Sequence, residues 1–279
     1  MKENKLNIVI PQWQGGGQDL CTWYGAYALK ENYLKDDGAV VVDIGTEDIG
    51  PVKNDILAYD DIMEDIGKVN EVLKENNPDK IFTLGGGCDA DTPCAAWLNK
   101  KLNGDMAVVY IDSHGDLNTP KASDSKLYYG MSLRALTGES DPWIIGQLAS
   151  TVSPNQLILC ANRNLDPEEL DFKKQNGVSD FPVETIESDP SVVAAEIARK
   201  GFNNVYIHID LDSTDPEEFT LTPVPEPNGL KCDTLVTLIE EIRKSGVRIA
   251  GFGILEYCGT KEDKGNDLIT RLVDFGKNI

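Results

Sequence analysis

Ala107-Val108-Val109-Tyr110-Ile111-Asp112-Ser113-His114-Gly115-Asp116 is an apolar run that breaks into three metal-competent side chains at alternate positions. Nothing in its first five residues alternates between apolar and polar. The run therefore reads as a strand covered on both faces, the habit of a parallel sheet. Successive side chains of an extended chain point to opposite sides, so Asp112, His114 and Asp116 can converge just past the strand end. The stretch His208-Ile209-Asp210-Leu211-Asp212-Ser213-Thr214-Asp215-Pro216 repeats the device with two carboxylates, Asp210 and Asp212. His208 reads as an in-strand or supporting histidine and is not assigned as a ligand.

Working outward, further short β-rich runs fall at 6–10, 39–43, 80–84, 107–112, 156–161, 177–181 (weak), 204–210 and 248–254. Helical segments are expected between them, near 18–34, 54–76, 91–102, 166–175, 190–201, 231–245 and 264–277. In the second of these, Tyr59, Ile62, Ile66, Val69 and Leu73 share one face. Pro78 disfavours helical geometry at Asn77, which sets an end there. Ser188-Asp189-Pro190 reads as a helix start, because an acid can cap and proline fits the first turn. Alternating strands and helices imply βαβ units and a doubly wound sheet. No repeat, low-complexity tract or linker divides the chain, so residues 1–279 read as one domain.

Composition narrows the partners. The 279 residues hold 47 acidic and 26 basic side chains, a formal net charge of −21, which repels phosphate backbones and anionic lipid. Nucleic-acid and membrane binding are not expected; acidity of this size also simply favours solubility. The only early apolar run, residues 6–10, is too short for a signal peptide or a span. Six scattered cysteines lack the dense spacing of a secreted scaffold, so reduced thiols in a cytoplasm are expected.

In open α/β sheets ligands collect beyond the carboxyl ends of the strands. Four strand ends deliver polar groups to that rim: Asp112 with His114 and Asp116, Asp210 with Asp212, Gly85-Gly86-Gly87-Cys88, and Glu256. Carboxylates and imidazole suit manganese or similar divalent ions. Carboxylates crowded together without cations repel, and some must take up protons. Two ions would relieve that repulsion and acidify a water for attack on a polarised carbon. The bland alternative is that each stretch is a loop of turn-forming acids. Gly15-Gly16-Gly17 and Gly85-Gly86-Gly87 read as tight turns, since neither carries a phosphate-loop lysine. Trp13 and Trp23 read as packing residues.

Taken together, these motifs resemble the ureohydrolase superfamily, which includes arginase, agmatinase and formimidoylglutamase. Residues 111–120, IDSHGDLNTP, are similar to the family's Asp-Ala-His-x-Asp motif with its Asn-Thr-Pro. Residues 208–216, HIDLDSTDP, are similar to its Asp-x-Asp-x-x-Asp-Pro motif, and residues 84–89, LGGGCD, fall where the family has Gly-Gly-Asp-His. The resemblance implies a three-layer α/β/α arginase-like fold around an eight-stranded parallel sheet, and two manganese ions. By the same resemblance Asp112 and Asp210 bridge the ions, Asp116 and Cys88 complete one site, and His114 and Asp212 complete the other. Glu256 matches the glutamate that grips a guanidinium. Asn118, Ser125 and Asp166 match positions that contact the amino-acid end of a substrate, although Asn118 and Asp166 also suit turns. Asp116 would pass a proton to the departing amine. Family members often form trimers or hexamers, but no residue here fixes an interface.

Two departures matter. Cys88 stands where the family has a histidine; a thiolate is softer and adds negative charge, which shifts preference towards iron, cobalt or zinc. Tyr129 stands where arginase has its proton-shuttling histidine, and a phenol with a pKa near 10 is a poor shuttle at neutral pH. Both departures resemble the N-omega-hydroxy-L-arginine amidinohydrolase branch, which implies hydrolysis of N-omega-hydroxy-L-arginine to L-ornithine and hydroxyurea. Arginase or formimidoylglutamase activity, or a catalytically silent member that binds an amino acid, are the alternatives.

Overall fold

The architecture is taken from a computed structural model, which describes residues 3–17 and 19–279. Eight strands are present: β1 (Lys5–Ile10), β2 (Val40–Val41), β3 (Lys80–Gly85), β4 (Ala107–Ile111), β5 (Leu157–Cys160), β6 (Ser179–Phe181), β7 (Asn204–Asp210) and β8 (Arg248–Leu255). They form one sheet in the order β2-β1-β3-β8-β7-β4-β5-β6, and every neighbouring pair is parallel. The eight expected strands are all there. The second is shorter than its expected 39–43, as befits a strand at the sheet edge with one partner.

Helices cover both faces, which explains why the strands lack alternation. Along β7, Val205, Ile207 and Ile209 join one core cluster with Leu235 and Leu238 of α9 (Cys232–Lys244) and Leu272 of α10 (Asp267–Lys277). Tyr206 faces the opposite cluster, built with Leu73 of α2 (Tyr59–Asn76) and Leu98 of α3 (Thr92–Lys101). On β4, Val109 and Ile111 go to the first cluster, while Val108 and Tyr110 go to the second. The result is three layers, α/β/α. His208 and Asp210 share the Tyr206 face by the period of two.

Three short helices escaped the sequence reading: α4 (Ser132–Leu136), α5 (Pro142–Gln147) and α7 (Val183–Ser188). The start expected at Ser188–Pro190 is corrected. Ser188 ends α7, Asp189 Oδ1 accepts the Ser191 N–H, and α8 begins at Val192 (Val192–Lys200). The break at Asn77 holds, with α2 ending at Asn76 and Asn77 in the left-handed region at φ 44°. The helix expected from residue 18 is α1 (Cys21–Tyr33); Gln18 lies outside the described residues. The other helices lie close to their expected places, α6 over Pro167–Asn176 among them. No helix among the described residues is long and apolar enough to cross a membrane.

The expectation of six reduced thiols is also corrected. Cys21, at the start of α1, and Cys258, just after β8, form a disulfide with a Cα–Cα separation of 4.8 Å. Gly25 supplies the reason. A Cβ there would lie 1.6 Å from the Tyr257 carbonyl oxygen, so only glycine lets α1 rest directly on the backbone beside Cys258. Cys88, Cys94, Cys160 and Cys232 remain free thiols.

Candidate metal centre

The carboxyl ends of β3, β4, β7 and β8 lie side by side in the sheet, and each delivers acidic or sulfur groups to one rim. Past β4, the Asp112 Oδ1 accepts the His114 backbone N–H at 2.7 Å, so the turn holds its own ligand candidate in place. Past β7, Asp210 Oδ1 accepts the Asp212 N–H at 2.7 Å in the same way. The two turns are then tied together, because the Ser113 N–H donates to Asp212 Oδ1 at 3.1 Å. His114 Nδ1 lies 2.9 Å from Asp212 Oδ2 and 3.6 Å from Asp112 Oδ1. From β3, the Cys88 thiol points at Asp210 Oδ2, 2.7 Å away, with Asp112 Oδ2 at 3.8 Å. From β8, Glu256 Oε1 accepts the Cys88 backbone N–H at 3.0 Å.

Among the described residues three groups of possible ligand atoms emerge, each with all members within 4.8 Å of one another: Asp112, His114 and Asp212; Cys88, Asp210 and Glu256; and Cys88, Asp112 and His208. Asp116 sits in the left-handed region at φ 51°, which turns its carboxylate inward, where Oδ2 accepts from the Tyr110 hydroxyl at 2.5 Å and Ser132 at 3.4 Å. Glu256 also has a positive φ, 57°, where β8 ends. Strained backbone at two inward-facing acids is a common mark of a functional site.

Electrostatics argue that cations belong here. Asp112, Asp210 and Asp212 are at most 2% exposed, Asp116 is 1% exposed and Glu256 7%. Burial, then their mutual repulsion, raises the carboxyls of Asp112, Asp116 and Asp210, the last two well above the usual carboxylate range. Burial likewise pushes Glu256 up to about 8. Asp212 goes the other way: burial opposes it, but the His114 contact holds its carboxyl below the ordinary value. His114 is raised despite burial, by Asp112 and Asp212. Burial and the Asp210 charge raise the Cys88 thiol well above its usual value. Five buried acids with one compensating imidazole form a donor set that two divalent ions would neutralise, so the residues present fit such ions.

These groups open on a cavity of about 160 Å³ whose walls include Cys88, His114, Asp116, Asp210, Asp212 and Glu256. Asp112 lies beneath them, fully buried. Sequence reasoning had not placed the opposite walls, which come from Trp13 and Gly16, from Cys21 and Thr22 of α1, and from Thr222-Pro223-Val224. Trp13, read as a packing residue, is indeed buried, and also faces the cavity. Tyr129 is another wall, its phenol pushed up to about 12 by burial and then by Glu256. Of the residues matched to an amino-acid end, Asn118 Nδ2 donates to Asp166 Oδ2 at 2.8 Å, and Ser125 is exposed on the loop before Tyr129. None of the three lines this cavity. Glu226, which carried no sequence signal, brings its Oε1 to 3.8 Å from His114 Nε2, on a strap whose carbonyls at Glu226 and Pro227 accept from Arg163.

The model of the Arginase family matches residues 20–271. The chain belongs to the arginase family. Among curated family members, an arginase of Staphylococcus aureus (strain MRSA252) is 27% identical over 193 residues, 66% of this chain and 64% of that one. An arginase of Coccidioides immitis (strain RS) is 28% identical over 197 residues, 66% of this chain and 61% of that one. The matches thus span a little under two thirds of the length of these arginases. In fold, the family likeness covers the whole chain. Entamoeba histolytica arginase, solved in complex with L-ornithine, superposes with a TM-score of 0.86 at 19% identity, over 100% of this chain and 99% of that one. Bacillus subtilis arginase gives 0.77 at 21% identity, over 97% of each.

The backbone of the family site depends on Gly86. A Cβ there would lie 1.6 Å from the Gln12 carbonyl oxygen, and the Gly86 oxygen accepts the Glu256 N–H at 2.8 Å. Gly86→Ala must therefore push two strand ends apart. We expect it to cost about 3 kcal/mol, the upper part of the usual overpacking range. Thermal unfolding measures this directly, and an unchanged midpoint would contradict the packing.

Proposed function

We propose that this protein is a binuclear-metal amidinohydrolase that cleaves a C–N bond of a guanidino or N-hydroxyguanidino amino acid, N-omega-hydroxy-L-arginine to L-ornithine and hydroxyurea being the preferred reaction. One observation carries the reading: acids from three strand ends, with Cys88 and His114, meet in one cavity as a crowded donor set whose charge two cations would compensate. In this reading Cys88, Asp112, His114, Asp116, Asp210 and Asp212 hold two ions, manganese by family habit, with iron, cobalt or zinc favoured by the thiol. When bound, the ions would supply charge compensation and acidify a water.

The chain's own residues would do the rest. Glu256, anchored through Oε1 by the Cys88 N–H, orients the guanidinium against the Asp210 side of the cavity. Asp116 has Oδ2 engaged by Tyr110 and Ser132, which leaves Oδ1 to carry a proton to the departing amine. Tyr129, raised to about 12, keeps its proton at neutral pH and offers a donor, not a shuttle. An N-hydroxy substituent makes a guanidine less basic and a better acceptor of attack, so a site without a shuttle suffices. Asn118, Ser125 and Asp166 remain the proposed contacts of the amino-acid end, which favours a free amino acid over agmatine. We keep a cytoplasmic location and a trimer or hexamer as part of the same reading.

Hydrolysis of arginine itself is the second reading, favoured by the arginases among the relatives. A panel of arginine, hydroxyarginine, agmatine and formiminoglutamate against metal-loaded protein separates them. We expect hydroxyarginine to give a kcat/KM at least about tenfold above arginine, a preference of ~1.4 kcal/mol. Faster turnover of arginine would overturn the preferred substrate, and turnover of none would favour a catalytically silent binder.

A further inference from the structure

His208 lies two residues before Asp210 on β7, on the same face, one layer deeper in the sheet. It is 1% exposed. Its Nδ1 lies 3.0 and 3.1 Å from the two oxygens of Asp91, just before α3. In the neutral ring a carboxylate facing that nitrogen selects the tautomer with the proton on Nδ1, which leaves the lone pair on Nε2. The Tyr206 hydroxyl donates to Asp91 Oδ2 at 2.9 Å and holds the acid in place. Tyr110 stacks on the imidazole at 3.8 Å between centroids and 6° between planes, which fixes the ring's orientation. Nε2 itself, fully enclosed, has no hydrogen-bond partner among the described residues.

One ring nitrogen of His208 and the ligand atoms of Cys88 and Asp112 all lie within 4.8 Å of one another, and with Nδ1 turned to Asp91 it is Nε2 that remains available to that group. Cys88 does not satisfy it, because the single thiol proton is directed at Asp210 Oδ2. Imidazole ligands of metals almost always donate their second ring nitrogen to a carboxylate or carbonyl, as His208 does to Asp91. A buried lone pair without a partner is costly in any other role. The site also needs such a donor: a metal-bound thiolate and crowded carboxylates would bring excess negative charge, and a neutral imidazole adds a ligand without adding more.

We propose that His208 is a metal ligand, its Nε2 joining Cys88 and Asp112, with Asp91 as the residue that positions it. The inference rests on the metal-dependent reading above and adds a ligand from inside the sheet. A mixed sulfur, nitrogen and oxygen set would favour cobalt, zinc or iron over manganese at that position.

The chain has only two histidines, which makes the test direct. Protein carrying 13C,15N-labelled imidazoles is loaded with Co²⁺, and its ring signals are followed by paramagnetic NMR. Two sets of strongly contact-shifted ring signals, from His114 and His208, are expected. A shifted His114 beside a His208 without contact shift would overturn this proposal and leave the metal centre standing. If neither ring shifts, the metal-dependent reading falls as well. His208→Asn should weaken one of the two ions by more than about 100-fold, beyond the cost of losing an outer partner, while Asp91→Asn should weaken it by about 10–100-fold. Metal titration reads both without recourse to activity, and circular dichroism confirms folding. Two ions held by a folded His208→Asn with wild-type affinity would also overturn the proposal; should that variant not fold, the labelled wild-type protein still decides.

Discussion

Asp210→Asn is expected to lower kcat/KM by about a thousand-fold, some 4 kcal/mol of barrier, and to weaken both ions together. Asp210 stands where the Cys88 and His114 groups of candidate ligands meet. Its Oδ2 faces Cys88, and its Oδ1 takes the N–H of Asp212, which belongs to the His114 group. Asparagine keeps the shape and one acceptor oxygen, so the turn at the end of β7 survives. What disappears is one oxygen ligand and a negative charge. Metal-free protein should respond in the opposite direction. A carboxyl whose burial pushes it well above the usual range is a burden without cations, and a neutral amide of the same size relieves it. Metal-free Asp210→Asn should therefore melt no lower than metal-free wild type, while added metal stabilises only the wild type. Wild-type turnover with two ions bound would place the chemistry elsewhere.

Glu256→Gln is expected to reduce kcat/KM by roughly a hundred-fold, about 2.7 kcal/mol, with most of the loss in KM. Glutamine can still accept the Cys88 N–H through its oxygen, so the loop after β3 stays in place. It cannot offer a negative charge to a guanidinium. Because that attraction is already present in the bound substrate, its loss falls mainly on binding. Metal content should not change. A large fall in metal content with little change in KM would reassign Glu256 from substrate to ligand, a role its place beside Cys88 and Asp210 makes geometrically available.

The gathering of acids at one rim was legible because its parts obey local rules. Apolar runs ending in Asp112 and Asp210 announce strands whose tips carry acids, and a parallel sheet brings such tips to one edge. His208 reads as strand interior, and the structure places it within β7, two residues before Asp210 on the same face. Other features had no local signature. Helices of five or six residues such as Ser132–Leu136 and Pro142–Gln147 are too short to show a period. The far wall at Thr222–Val224 and Glu226's approach to His114 depend on how a loop folds back, which no spacing encodes. Cys21 and Cys258 are 237 positions apart, and only the close seat of α1 at Gly25 brings them together.

That covalent bond turns residues 21–258 into a closed ring. A protease that cuts once anywhere between Cys21 and Cys258 opens the ring without releasing a fragment. Such a nicked molecule would keep its full mass until a thiol reagent is added, and would then fall into two pieces. Neither event alone suffices: the cut and the reduction must both occur before the two pieces of chain can part company.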